Sequence, residues 1–218
     1  MHYKVLLILS KMTEQKEHLQ AISDIRSMME RSSRFISLSG LSGIFSGIFA
    51  LCGAYAAYVK LYSIDRSYRT LEGQDFTDVI IYLLTDAAIV LILSLAVGTL
   101  LTIRNSKKKG IKTWDKTAKR LLINLGIPLT TGGLFCLVLI YHGHIGLIAP
   151  ATLLFYGLAL INASNFTFND IRYLGMCEIL LGLAGTLYIG YGLLFWAIGF
   201  GVLHIVYGAV MYFKYERK

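Results

Sequence analysis

The stretch IRSMMERSSRFISLSGLSGIFSGIFALCGAYAAYV, Ile25 to Val59, passes from a charged amphipathic segment into an apolar run studded with Ser and Gly, with no Pro between the two. Ile22, Ile25, Met29, Ile36, Gly40, Gly43, Gly47 and Ala50 fall at spacings of three and four with a single gap of seven, so one helical stripe runs through both parts. Below, that stripe is apolar; above, it is nearly bare backbone. Small residues four apart, such as Ser39/Gly43 and Gly43/Gly47, let helix backbones approach closely in lipid, where the hydrophobic effect does not drive association. Ser39, Gly40, Gly43 and Gly47 therefore read as a helix-packing face.

The rest of the chain has the same character. Hydrophobic residues make up 56% of the 218 positions and charged residues only 16%, which places the excess apolar surface in lipid. A hydrocarbon layer about 30 Å thick needs around 20 apolar residues per helix. Stretches of that kind recur at about 35–59, 79–103, 121–141, 147–161, 173–191 and 193–213. Thr77 or Asp78 is placed to cap the second, and Pro128 within GIPLTTGG is expected to kink the third. Residues 12–34 put Glu14, Lys16, Glu17, Arg26, Glu30 and Arg31 on one side of a helix and Leu19, Ile22, Ile25, Met28 and Met29 on the other. The expected fold is all-α: a polytopic integral membrane protein of six transmembrane helices over 35–213, preceded by an amphipathic helix in a cytoplasmic segment 1–34 and followed by a cytoplasmic tail, 214–218.

Charge placement gives the expected orientation. Eighteen of the 21 Lys and Arg residues fall in segment 1–34, loop 104–120, Arg172 and the tail; only Lys60, Arg66 and Arg69 fall on the opposite side. By the positive-inside rule both termini are cytoplasmic, in a cell membrane. The formal charge of +8 is thereby accounted for by the bilayer, and nucleic acid is not expected as a partner. No cleavable signal peptide is read in the opening residues, since Val5 to Leu9 is too short an apolar run.

Ionisable side chains inside a bilayer are costly unless they face a partner or water, which makes Asp86, Glu178 and His204 the candidate intramembrane polar site. Each also has a structural reading. Asp86 can belong to a buried pair, Glu178 can reach the headgroups or Arg172, and His204 can serve as a neutral imidazole bonded across the bundle. Six spans would allow an inverted repeat pairing Asp86 with Glu178, but the two halves share no visible similarity. His142 and His144 stand two apart in the outer turn, which by itself makes no metal site, and neither a metal nor another cofactor is expected. Cys52, Cys136 and Cys177 lie in or beside apolar runs and form no disulfide framework.

Gly40-Leu41-Ser42-Gly43 resembles the GxSG of rhomboid intramembrane proteases, but places its Ser in the first span rather than the fourth, so catalysis is not expected. IRSMMERSSRFISLSGLSGI and NASNFTFNDIRYLG, within the whole six-span pattern, resemble an uncharacterised group of bacterial multi-pass inner-membrane proteins. That resemblance implies a bacterial inner membrane and no activity. The function expected is binding, sensing or scaffolding through residues 12–34 and the basic loop, with a cytoplasmic protein or a second copy of the chain as partner. The alternative is a small transporter or channel with a polar path through Asp86, Glu178 and His204.

Overall fold

A computed structural model describes residues 38–63, 73–110 and 114–217, together with residues 15, 18, 20 and 22. Most of the amphipathic segment 12–34 lies outside the described residues, but the expected helical continuity into the first span is not found: Leu38 and Ser39 are non-helical and the first long helix begins at Gly40, where Glu216 takes the Ser39 hydroxyl and the Gly40 N–H. Within it, Gln15, His18, Gln20 and Ile22 are helical and exposed. The described residues are helical, joined by short turns, and none forms a strand.

Helix α1 spans Gly40–Ser63, α2 Gly73–Lys108, α3 Lys116–Tyr141, α4 Ile148–Ser164 and α5 Asp170–Leu187. A final continuous rod begins as α6, Gly192–Trp196, turns π-helical over Ala197–Leu203 and resumes as α7, His204–Tyr215. Among the described residues, five segments are long and apolar enough to cross a membrane: Gly40–Tyr62, Thr77–Lys108, Lys116–Tyr141, Ile145–Ser164 and Gly192–Tyr215. α5 is not among them, because Asp170, Arg172 and Glu178 all lie within its 18 residues. Large apolar side chains cover the outside of the bundle, on α2 above all, where Ile81, Ile89, Leu91, Ile92, Leu95 and Leu100 are exposed. A surface of that kind is stable against lipid and not against water.

Helix ends depart from the apolar windows read from the sequence: α1 starts at Gly40 rather than 35 and α5 ends at Leu187 rather than 191, while others extend past their windows. α2 begins at Gly73, so Asp78 lies inside it and does not cap it. α3 begins at Lys116, five residues ahead of Leu121, because the Asp115 carboxylate accepts a hydrogen bond from the backbone N–H of Ala118 at 2.7 Å. Pro128 sits within a helix that stays continuous, with Thr131 donating to the carbonyl of Ile127 at 2.9 Å. The α3–α4 hairpin closes through Gly143, whose φ of 73° only glycine adopts without strain. His144 N–H then reaches the carbonyl of Leu139 and Gly143 N–H that of Ile140, the paired bonds of a Schellman motif.

Two seams of small residues set the packing. Along the first, Gly40, Gly43 and Gly47 of α1 lie against the last rod: a Cβ on Gly47 would stand 2.6 Å from the carbonyl oxygen of Gly201, and one on Gly208 2.6 Å from the amide of Ile44. Ser39, at the foot of α1, donates to Glu216 at 3.1 Å, and the same carboxylate accepts the backbone N–H of Gly40. Along the second, Gly157 of α4 and Gly175 of α5 meet backbone to backbone. Both seams bring main chains closer than any side chain would permit.

Candidate functional site

Between these seams, near the middle of the bundle, α4, α5 and the last rod enclose a polar centre. Glu178 projects from α5 and is wholly buried. His204 opens α7 and is also buried, with its Nδ1 3.5 Å from Glu178 Oε1. Nδ1 lies 3.0 Å from the carbonyl oxygen of Gly199, to which it donates, and Nε2 accepts the hydroxyl of Tyr156 from α4 at 2.7 Å. Those two bonds fix the tautomer with the proton on Nδ1.

Glu178 is left in an unusual position. Neither of its carboxyl oxygens has a hydrogen-bond partner among the described residues. His204 Nδ1, 3.5 Å from Oε1, directs its proton to Gly199 instead. In a lipid-embedded bundle a group so placed is costly, about 1–3 kcal/mol.

The backbone has been shaped to admit this carboxyl. Gly199 lies in the π-helical stretch, and a Cβ there would collide with Glu178 Oε2 and stand 2.5 Å from Leu153 Cδ2. A π turn inserts an additional residue into the helix and widens it locally, an arrangement frequent at functional sites. Gly201 in the same stretch receives Leu51 of α1. An aromatic stack lies beside the centre: Phe200 packs 4.9 Å from Tyr156, 5.0 Å from Trp196 and 5.9 Å from His204, between ring centroids.

Asp86 is not part of this centre. Half-buried on α2, it lines a separate cavity of about 180 Å³ near the α3–α4 turn, between α1, α2 and the start of α6. Gly53 of α1 makes room for it, since a Cβ there would stand 3.2 Å from Asp86 Oδ2. Thr85 gives its hydroxyl to the carbonyl of Ile81 at 2.7 Å and not to Asp86. The structure therefore brings Glu178 and His204 together and leaves Asp86 apart.

The interfacial reading of Glu178 is corrected by its rotation about α5. α5 starts at Asp170, two turns earlier, and the side chain points inward to His204, not outward to headgroups or Arg172. Arg172 lies on the helix's first turn, where Asp170 pairs instead with Lys214 at 3.0 Å and with the Tyr215 hydroxyl at 2.6 Å. Sequence reading missed Tyr156 and Gly199. A tyrosine in mid-span, away from the interfacial belts, is a polar handle that needs a partner, and this was the signal available for Tyr156. Ser42 of the GxSG donates to the carbonyl of Ser39 at 2.5 Å, and both nitrogens of His204 are engaged elsewhere, so the two do not form a nucleophile–base pair.

No known protein family, characterised protein or solved structure matches this chain.

Proposed function

We propose that this chain is a small proton-linked membrane transporter whose working centre is Glu178 with His204 and Tyr156. The observation that carries this reading is the fully buried Glu178 carboxyl, 3.5 Å from an imidazole yet without a hydrogen bond to either oxygen. A structural carboxylate at such depth is normally saturated with donors; one left open suits a group that exchanges its proton or cation during a cycle. Gly199, Gly201 and the π turn supply a deformable stretch of helix at the same level.

The topology that accompanies this proposal has six crossings, with α5 as the fifth. Eighteen residues span about 27 Å, close to the hydrocarbon thickness. Two of its three charged groups stand in its first turn, at headgroup level, and the third is turned into the bundle. Both termini and loop 104–120 lie in the cytoplasm on the count of Lys and Arg. Segment 1–34 and the basic loop then form the cytoplasmic face on which a partner protein or a second copy would dock.

The test needs no known substrate. Purified protein in proteoliposomes adsorbed on a solid-supported membrane is given a pH jump, and proton binding within the bilayer registers as a transient current. The wild-type chain gives a transient that Glu178→Gln removes and His204→Gln displaces along the pH axis. Equal transients in the wild type and Glu178→Gln would overturn the proposal.

A further inference from the structure

We infer that the cavity at Asp86 is a binding site for a compact lipophilic ammonium ion, with the Asp86 carboxylate as its counter-ion. Its walls are apolar, formed by Ala54 and Ala57 of α1, Leu83 and Ala87 of α2, and Ile148 of α4. Asp86 is the one ionisable side chain among the residues that line it. Thr152, the neutral hydroxyl on the wall, is occupied with the carbonyl of Ala149 at 2.7 Å. Trp196 closes one side with an aromatic surface.

Each kind of occupant can be weighed on these features. A purely apolar molecule or an acyl chain would bury Asp86 against hydrocarbon with nothing to compensate it. An anion would be repelled. An alkylammonium or arylammonium ion satisfies the carboxylate, lays its apolar body on the alanine and leucine walls, and can place its charge over the Trp196 ring. At about 180 Å³ the cavity is smaller than the roughly 300–1,000 Å³ of pockets for drug-sized ligands, so the occupant is small: one ring or a short chain beside the amine. The absence of a side chain on Gly53, directly under Oδ2, leaves the carboxylate free to take up its position.

This site stands apart from the Glu178 centre, and its test is separate. Equilibrium binding of radiolabelled phenethylamine to the purified full chain in detergent is measured against protein-free micelles, with 2-phenylethanol as the neutral counterpart. Saturable amine binding is expected that Asp86→Asn weakens tenfold or more while 2-phenylethanol binding is unchanged, which also reports an intact cavity. Ala87→Leu, on the wall, is expected to weaken both ligands, and Glu178→Gln neither. The inference is overturned if the wild type binds no amine saturably, if Asp86→Asn binds it as well as the wild type, or if Glu178→Gln, rather than Asp86→Asn, abolishes binding. The pH-jump transient of the preceding test should persist in Asp86→Asn, so failure at one site is distinguishable from failure at the other.

Discussion

Replacing Glu178 by Met is expected to stabilise the protein and, on the proposed function, to remove the pH-jump transient. Both carboxyl oxygens are buried without a partner among the described residues, at a cost of about 1–3 kcal/mol for the group. Met has nearly the same length, fills the space beside Leu153 and Gly199, and removes both oxygens. Against that gain stands the loss of the 3.5 Å approach to His204 Nδ1, whose proton is already directed to Gly199 and which therefore contributes little. The net expectation is a gain of about 1–3 kcal/mol, which for a chain of this size corresponds to a rise in Tm of roughly 2–12 °C. Thermal unfolding of detergent-solubilised protein, followed by intrinsic fluorescence at one heating rate for both proteins, measures the rank order even where unfolding is irreversible. A Glu178→Met protein that melts well below the wild type would refute the reasoning. It would show that the carboxyl is a saturated structural group held by donors, and the proton-exchange proposal would lose its main support.

Gly208→Ala is expected to lower stability by about 1–3 kcal/mol in the same assay, since the new methyl would meet the Ile44 amide at 2.6 Å and the Gly40 carbonyl at 2.7 Å, both unyielding main chain. Glu216→Ala removes the acceptor for Ser39 and for the Gly40 amide and should cost about 0.5–2 kcal/mol, the usual range for losing a helix N-cap; limited proteolysis near residue 39 should speed up in parallel. Deleting residues 1–30 is expected to leave the Tm of the bundle within about 1 °C while reducing capture of cytoplasmic partners or self-association in crosslinking; unchanged capture and oligomer state would dismiss the docking role of that segment.

The helical, lipid-facing character of this chain was legible because hydropathy reports what a helix presents to lipid, and α2 presents apolar residues over nearly its whole surface. Helix ends were less legible. Asp115 adds a turn to α3, and α2 starts at Gly73, because backbone hydrogen bonds continue into the polar layer where hydropathy has already fallen. The packing residues Gly40, Gly43 and Gly47 could be named from spacing alone, but their partners Gly201 and Gly208 could not, since spacing along one helix carries no information about which other helix it meets.

Glu178 shows why the candidate site was only half legible. Depth along a span can be counted from the sequence, and by that count the residue stood near the cytoplasmic edge, within reach of Arg172. Rotation about the helix axis matters equally, because each residue turns the side chain by about 100° and a shift of two positions exchanges headgroup for core. What fixes that rotation is the Gly157–Gly175 contact, which holds α5 against α4 and turns position 178 toward the last rod. There the π turn brings Gly199 beneath the carboxyl, and the histidine five residues later has its Nδ1 proton on the Gly199 carbonyl. One insertion in a helix thus both admits the acid and occupies the donor that would otherwise have satisfied it.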